Sequence, residues 1–581
     1  MINNQTKKWA YFLVFLLILL TGSFFRGYNF SNWLHFETDQ VDDIIVVSEG
    51  ASKGVANLPL LGPVAAGGPL RLGPLFYYIE YFGAIIFGNT PPGHASVVLI
   101  FSVLAIIVFY YFLLRYFSKR TALALLAIFA FSTYLIVYSR FSWNPNLLPF
   151  FFISMSYALL RSVSREEKNK ERWFIIAIIL ATFATQMHFN AFFVVPLFFF
   201  FFLIIKRPDY NWRIWIIAIG IVLTLYAPVV LNDIKTHGSN FRNLSEKFIG
   251  KPNKEKKTNM AEKLIQITRY NAYEYFLVIS GVDQINNGHP KNSSFGLTCD
   301  SCVKNLPWRL TALLFLGASL FLLAINLFKE KDSEKRNFLI VIFLWFSSSS
   351  LYFFLILSNG MYLYPRFFLL PAPVAIIFLG FIVEFINPGK GLYRFIFCLF
   401  VIVPLIFLNA QKTKKYFDDL AKGAVNIIQI ETEDVFPNMG RITLNQQIAV
   451  INYIETKYRQ NNYPIYIKSE SEYEPAFWYH LKSRGISNYD KIKNDAVYAE
   501  GNYFLILRST LIKEKNLEKY NAKFIFNESK KFGSITVYYL TPKSEFITGI
   551  IQDFTKDIST AFSPRSMGIM RWKDLFSTPA H

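Results

Sequence analysis

The chain has 581 residues, of which 53% are hydrophobic and 61 are Phe. Runs as unbroken as FFVVPLFFFFFLII exclude an ordinary soluble core and indicate a polytopic α-helical membrane protein. The formal charge of +20 does not point to nucleic acid, because Lys and Arg gather in short clusters between apolar runs, where the positive-inside rule expects them.

Lys7 and Lys8 precede a long apolar run that no small-residue cleavage site clearly follows. An uncleaved first span over 9–29 is predicted rather than a signal peptide, with a cytoplasmic N-terminus. It delivers FETDQVDD, 36–43, to the outer face. The next strong basic turn, RYFSKR, has Arg115, Lys119 and Arg120, so one crossing must intervene, and 97–114 is the best candidate. The shorter run GPLFYYIEYFGAIIFG, with Glu80 near its middle, then lies in the interface.

Alternation continues with spans at 121–138 and 147–161, the inner turn RSVSREEKNKER, spans at 173–187 and 190–205, and the inner turn KRPDYNWR. A span at 214–231 leads to a long polar outer loop, 232–307. Spans at 308–328 and 338–358 flank KEKDSEKR, and those at 367–386 and 392–409 flank NPGKGLYR. The reading gives about eleven crossings and places 411–581 outside. That tail carries alternating runs such as YPIYIK, YFLILR, AKFIFN and SITVYYL and a helix-like LNQQIAVINYIETKYR, predicting a small α/β domain. The expected division is a transmembrane domain, 1–410, and an extracytoplasmic domain, 411–581.

Three cysteines exclude a disulfide framework. Cys398 lies in an apolar span as a small core residue. Cys299 and Cys302 form CDSC in a polar loop, which reads as a local disulfide, since a metal site there lacks identifiable ligands.

Almost every unusual polar residue at a membrane boundary falls on the outer side. Asp39 and Asp43, four apart, share a helical face and are either a solvated first turn or part of a site. His188, in QMHFN, is either an interfacial residue bonded to backbone or a pocket residue. Trp143 and the tyrosines suit an aromatic belt. Arg366, in MYLYPRFF, opens an apolar span where a cation calls for an anionic partner such as a lipid phosphate. Arg71, Tyr77 and Tyr78, around the Pro- and Gly-rich loop GPVAAGGPLRLGP, are placed to meet the same phosphate and its lipid. Arg140, Asn144 and Asn146 of YSRFSWNPN, with Tyr364 beside Arg366, complete the candidate donor-binding set. Carboxylates, a cation, amides and a His at one membrane surface suit sugar transfer from a lipid phosphate: a carboxylate serves as base, and the departing phosphate needs cationic stabilisation.

These features resemble the C-type membrane glycosyltransferases of family 39, which include the protein O-mannosyltransferases and the lipid A aminoarabinose transferases. The matching elements are Asp39 in TDQ, Gly73-Pro74-Leu75-Phe76-Tyr77-Tyr78, the YSR…WNPN turn, QMHF, and YPRFFLLP. The resemblance covers 1–410. It implies Asp39 as catalytic base, Arg366 on the donor phosphate, Asp43 assisting Asp39 or placing the acceptor, and His188 lining the pocket. It also implies a polyprenyl-phosphate sugar donor and inversion at the anomeric carbon. Two departures stand out: many relatives have Asp-Glu where this chain has Asp39-Gln40, and others have a basic residue where it has Leu72, with Arg71 one place early.

The competing reading is a transporter or flippase of lipid-linked sugars. Such proteins show polar or broken helices near mid-membrane, often in two related halves; here the spans are apolar through their centres and no half repeats the other. A receptor whose outer tail binds a ligand leaves the first-loop residues unexplained. Asp39 and Asp43 have the oxygen chemistry to share Mg or Mn, although too few further ligands are evident. The acceptor, whether protein, lipid or glycan, is not specified.

Overall fold

The structure, a computed structural model, describes residues 4–65, 68–249, 259–282, 306–358, 363–386, 392–422, 442–493, 495–508, 514–554 and 568–576. Cys299, Cys302 and the side chain of Cys398 lie outside the described residues.

The apolar runs become helices. In chain order these are α1 (Asn4–Gly27), α2 (Thr38–Lys53), α3 (Leu75–Phe87), α4 (Pro91–Tyr116), α5 (Lys119–Phe131), α6 (Thr133–Tyr138), α7 (Leu148–Ser162), α8 (Lys170–Met187), α9 (Phe189–Lys206) and α10 (Trp212–Lys235). They continue with α11 (Ser239–Ile249), α12 (Met260–Ser280), α13 (Leu306–Lys329), α14 (Ser333–Ser358), α15 (Ala372–Phe385) and α16 (Leu392–Lys422). Among the described residues, six helices are long and apolar enough to cross a membrane by length and composition. The chain is a multi-pass membrane protein.

Two expectations are corrected here. The expected span 121–138 is broken at Ser132, whose ψ of 114° leaves helical geometry. Its hydroxyl donates to the Val278 carbonyl at 2.6 Å, and Asn409 Oδ1 accepts from Thr133 N at 2.8 Å, so tertiary bonds replace the interrupted ladder. The expected polar loop 232–307 contains α12, whose second half is buried in the helical core. Tyr275 packs against Phe346 and Phe378, and Asn271 Nδ2 donates to Ser350 Oγ at 3.1 Å.

The turns expected inside converge on one face. Arg115 pairs with Glu334 at 3.3 Å and donates to Ser164 Oγ at 2.7 Å, while Arg165 N–H reaches Glu334 Oε1 at 2.8 Å. Lys206 donates to Asn337 Oδ1 at 2.5 Å, and the Tyr210 hydroxyl to the Ser162 carbonyl at 2.9 Å. The turns at the other helix ends meet on the opposite face, where the candidate site lies. The short apolar α3 packs on α2 and α4 there.

Helix α16 runs without a break through position 411 to Lys422, and the α/β domain follows. Its sheet has strands β1 (Ile465–Lys468), β2 (Tyr489–Lys491), β3 (Asn502–Arg508), β4 (Phe524–Phe532) and β5 (Ile535–Pro542), in the order β2-β1-β3-β5-β4. β1 pairs parallel to β2 and β3, whereas β5 runs antiparallel to β3 and β4. Helices α17 (Leu444–Asn461) and α18 (Glu474–Ser483) cover one face through Ile451, Ile454, Phe477 and Trp478. The alternation that revealed the strands thus places one side of each against these helices.

Candidate active site

Helix α2 begins just after His35-Phe36-Glu37. Gln40 Oε1 accepts from the Glu37 N–H at 3.1 Å, closing the first turn. The departure at position 40 thus falls on a buried capping residue, a role that Glu would also fill. Asp39 occupies the first turn, half-buried, where the helix dipole favours an anion. Asp43, one turn on, is buried and hydrogen-bonded to Tyr77 on α3.

Three residues along α3, Glu80 lies on the same face as Tyr77. It is 1% exposed and accepts from Ser142 Oγ through Oε1, while Oε2 has no hydrogen-bond partner among the described residues. Burial first, then Glu80, Asp39 and Asp42, push the Asp43 carboxyl well above the usual range, against the opposing Tyr77 bond. Burial raises Glu80 to about 8, against the Ser142 bond. Both shifts favour the protonated form, in which Asp43 can donate a hydrogen bond as well as accept one.

Arg366 sits in a single 3-10 turn, Pro365–Leu369. The Tyr134 hydroxyl donates to the Pro365 carbonyl at 2.6 Å and Asn190 Nδ2 to the Phe367 carbonyl at 3.1 Å, fixing the turn from two helices. The guanidinium lies 5.0 Å from the Trp143 ring centroid, 4.6 Å from that of Tyr364 and 5.6 Å from that of Phe367. His188 Nδ1 bonds Asn190 Oδ1 at 2.8 Å and its ring faces Phe367. Burial, with a smaller push from the Arg366 charge, lowers His188 to about 4 against the Asn190 bond, so the ring is neutral.

The two halves meet at one dipeptide. Ser142 holds Glu80 beside the carboxyl cluster, and Trp143 lies under Arg366. Asp43, Tyr77 and Glu80 thus form one cluster and Arg366, Tyr364 and His188 another, linked along the chain through Ser142 and Trp143.

Other candidates lie elsewhere. Arg140, read as a donor-binding candidate, donates its guanidinium to the Phe25, Arg26 and Tyr28 carbonyls at 3.0, 2.9 and 2.8 Å, capping α1, and lies over Phe417. Asn144 and Asn146 spend their amide groups on the Met187 and Phe141 carbonyls, holding the turn. Tyr78, likewise a donor-binding candidate, has its hydroxyl bonded to the Pro59 carbonyl at 2.9 Å and the Trp572 indole N–H at 2.8 Å.

Arg71 exchanges backbone–side-chain bonds with Asn240 at 2.9 and 3.0 Å and donates to the Gly62 carbonyl at 3.2 Å. It lines a largely apolar cavity of about 1130 Å³ between α8, α9 and α10, whose walls include Thr185, Phe192, Phe199, Val222 and Tyr226. Gly73 stands at its rim, where a Cβ would come 2.3 Å from Gln186 Oε1, the atom that accepts from Leu75 N. A larger residue there would push the Gln186 side chain off Leu75 N.

Among the described residues, no group of three His, Cys, Asp or Glu side chains is arranged to hold a metal ion.

Residues 69–231 match the family model of the dolichyl-phosphate-mannose-protein mannosyltransferases. The structure superposes on apo ArnT from Cupriavidus metallidurans with a TM-score of 0.52 at 9% identity, covering 92% of this chain and 98% of that one. The chain has an ArnT-like fold. A second ArnT structure, bound to undecaprenyl phosphate, superposes with a TM-score of 0.50 at 9% identity over the same shares of the two chains. No curated protein gives a significant match. The matched segment holds the Gly73-Pro74 loop, Tyr77, the Ser142-Trp143 dipeptide and His188, whereas Asp39 and Arg366 lie on either side of it.

Glu80 was visible in the sequence only as a charge in an interfacial helix. Its three-residue spacing from Tyr77 was the available signal for a shared face. Trp143 was read as an aromatic-belt residue and Ser142 only as part of the YSR…WNPN turn, because their partners depend on which residues α3 and the Arg366 turn bring to them.

Proposed function

We propose that the protein is an inverting glycosyltransferase that moves a sugar from a polyprenyl-phosphate donor to an acceptor at the outer membrane face. The observation that carries this reading is the Ser142-Trp143 junction between the carboxyl cluster and Arg366. The family matched by 69–231 is named for dolichyl-phosphate-mannose, and one ArnT structure holds undecaprenyl phosphate; both support a lipid-monophosphate donor here.

In this reading the Arg366 guanidinium grips the donor phosphate, and the apolar cavity beyond Arg71 takes up isoprenoid chain. Asp39 removes the acceptor hydroxyl proton as its oxygen attacks the anomeric carbon. The bond from that carbon to the phosphate oxygen breaks, and polyprenyl phosphate leaves with its charge stabilised by Arg366. Asp43, held by Tyr77 where burial favours its neutral form, donates a hydrogen bond to Asp39 or to a sugar or acceptor oxygen. Neutral His188 lines the pocket without adding a second cation. The basic turns that converge on the opposite face support a cytoplasmic N-terminus and an outer C-terminal domain.

Purified protein supplied with polyprenyl-phosphate sugars, polyprenyl-pyrophosphate sugars and nucleotide sugars is expected to release lipid phosphate from the first class alone. Turnover confined to either of the other classes would overturn the donor assignment.

A further inference from the structure

Residues from beyond position 411 hold α2, the helix carrying Asp39 and Asp43, at both ends: the α/β domain at its start and the segment 568–576 at its far end. At the first end, Thr38 donates its N–H to the Glu472 carbonyl at 2.9 Å and its hydroxyl to the same oxygen at 2.8 Å. A helix-start donor that has no partner within α2 is therefore satisfied by the other domain. The preceding residues are held similarly: Leu444 N–H reaches the Leu34 carbonyl at 3.0 Å, and Gln447 Nε2 the Phe36 carbonyl at 2.7 Å.

At the far end, Arg571 pairs with Glu49 at 2.5 Å and donates to the Asn57 carbonyl. Its neighbours bond the same loop, Leu60 N–H to the Met570 carbonyl at 2.9 Å and Trp572 N–H to the Leu58 carbonyl at 3.1 Å. The Trp572 indole reaches Tyr78, which adjoins the Tyr77 that holds Asp43. A 16-residue helix is marginal alone, so its placement follows from what it docks against.

We propose that these C-terminal residues form a positioning element of the transfer site, fixing α2 so that Asp39 stands at its working depth, with Arg571 and Glu49 as the positioning pair at its far end. This rests on the transferase reading given above.

The test has two readouts in the full-length protein: steady-state kinetics, and amide hydrogen exchange across 38–53. Arg571→Glu is expected to speed exchange in that segment and to lower kcat by about tenfold, with donor KM and melting temperature unchanged. Adding Glu49→Arg is expected to restore both readouts. Should Arg571→Glu not fold, Glu49→Gln is expected to give the same pattern in smaller measure. Unchanged exchange across 38–53 overturns the clamp, and faster exchange with unchanged kcat overturns its positioning role. If the wild type turns over no donor, the transferase reading fails, while the exchange comparison still decides the clamp.

Discussion

Asp39→Asn is expected to lower sugar transfer by about 10²- to 10⁴-fold, the range that a positioned general base supplies, while donor affinity stays at the wild-type value. The substitution keeps size and polarity but cannot take the acceptor proton. Because Asp39 is half-buried in the first turn of α2 and Gln40 independently closes that turn, Asn preserves the helix start, and Asn is itself favoured near helix starts. Initial rates with donor-binding isotherms check the split: full turnover in Asp39→Asn removes the base assignment. Asp43→Asn is expected to be milder, since burial and its acidic neighbours favour the neutral carboxyl and an amide also donates and accepts.

Arg366→Ala is expected to weaken donor binding by about 10- to 100-fold, the loss of one hydrogen bond to a charged group at roughly 1.5–3 kcal/mol. It should also slow cleavage of the bond between the anomeric carbon and the phosphate oxygen. Arg366→Lys should recover only part of the loss, because the ammonium keeps the charge but lacks both the fork for phosphate oxygens and the flat face stacked among Trp143, Tyr364 and Phe367. Titration with polyprenyl phosphate itself reads the effect without chemistry, and equal affinity in wild type and Arg366→Ala would refute the phosphate assignment.

The helices were legible because hydropathy acts over whole segments. Parity then sorted the turns, since Lys and Arg mark one side, and the bonds joining Arg115, Ser164 and Glu334 gather turns expected together. Helix α12 was not legible, because MAEKLIQITRYNAYEYFLVIS interrupts its apolar residues with Lys, Arg, Asn and Glu. Its burial depends on neighbours such as Ser350 and Phe378, which no local pattern reveals.

Single residues at the site divided on the same principle. A cation at a membrane boundary looks alike in sequence whether it meets a ligand or backbone. Arg366 lies among aromatic rings beside His188, but Arg140 closes the end of α1 on three carbonyls. Tyr77 and Tyr78 are adjacent and point around the helix by about 100° relative to each other. One therefore meets Asp43 and the other Trp572. Glu37 and Asp42 of FETDQVDD serve the same helix differently: Glu37 pairs with His35 at 3.0 Å, and Asp42 adds to the negative field on Asp43.

Bond-breaking transfer from a lipid phosphate can be read out in a reconstituted assay. Protein in liposomes would receive a polyprenyl-phosphate sugar labelled in both sugar and lipid, together with a membrane extract as acceptor source. The account predicts one polyprenyl phosphate released for each sugar moved to acceptor, with both products lost in Asp39→Asn. Passage of intact donor across the bilayer without release of polyprenyl phosphate, equal in wild type and Asp39→Asn, would contradict it.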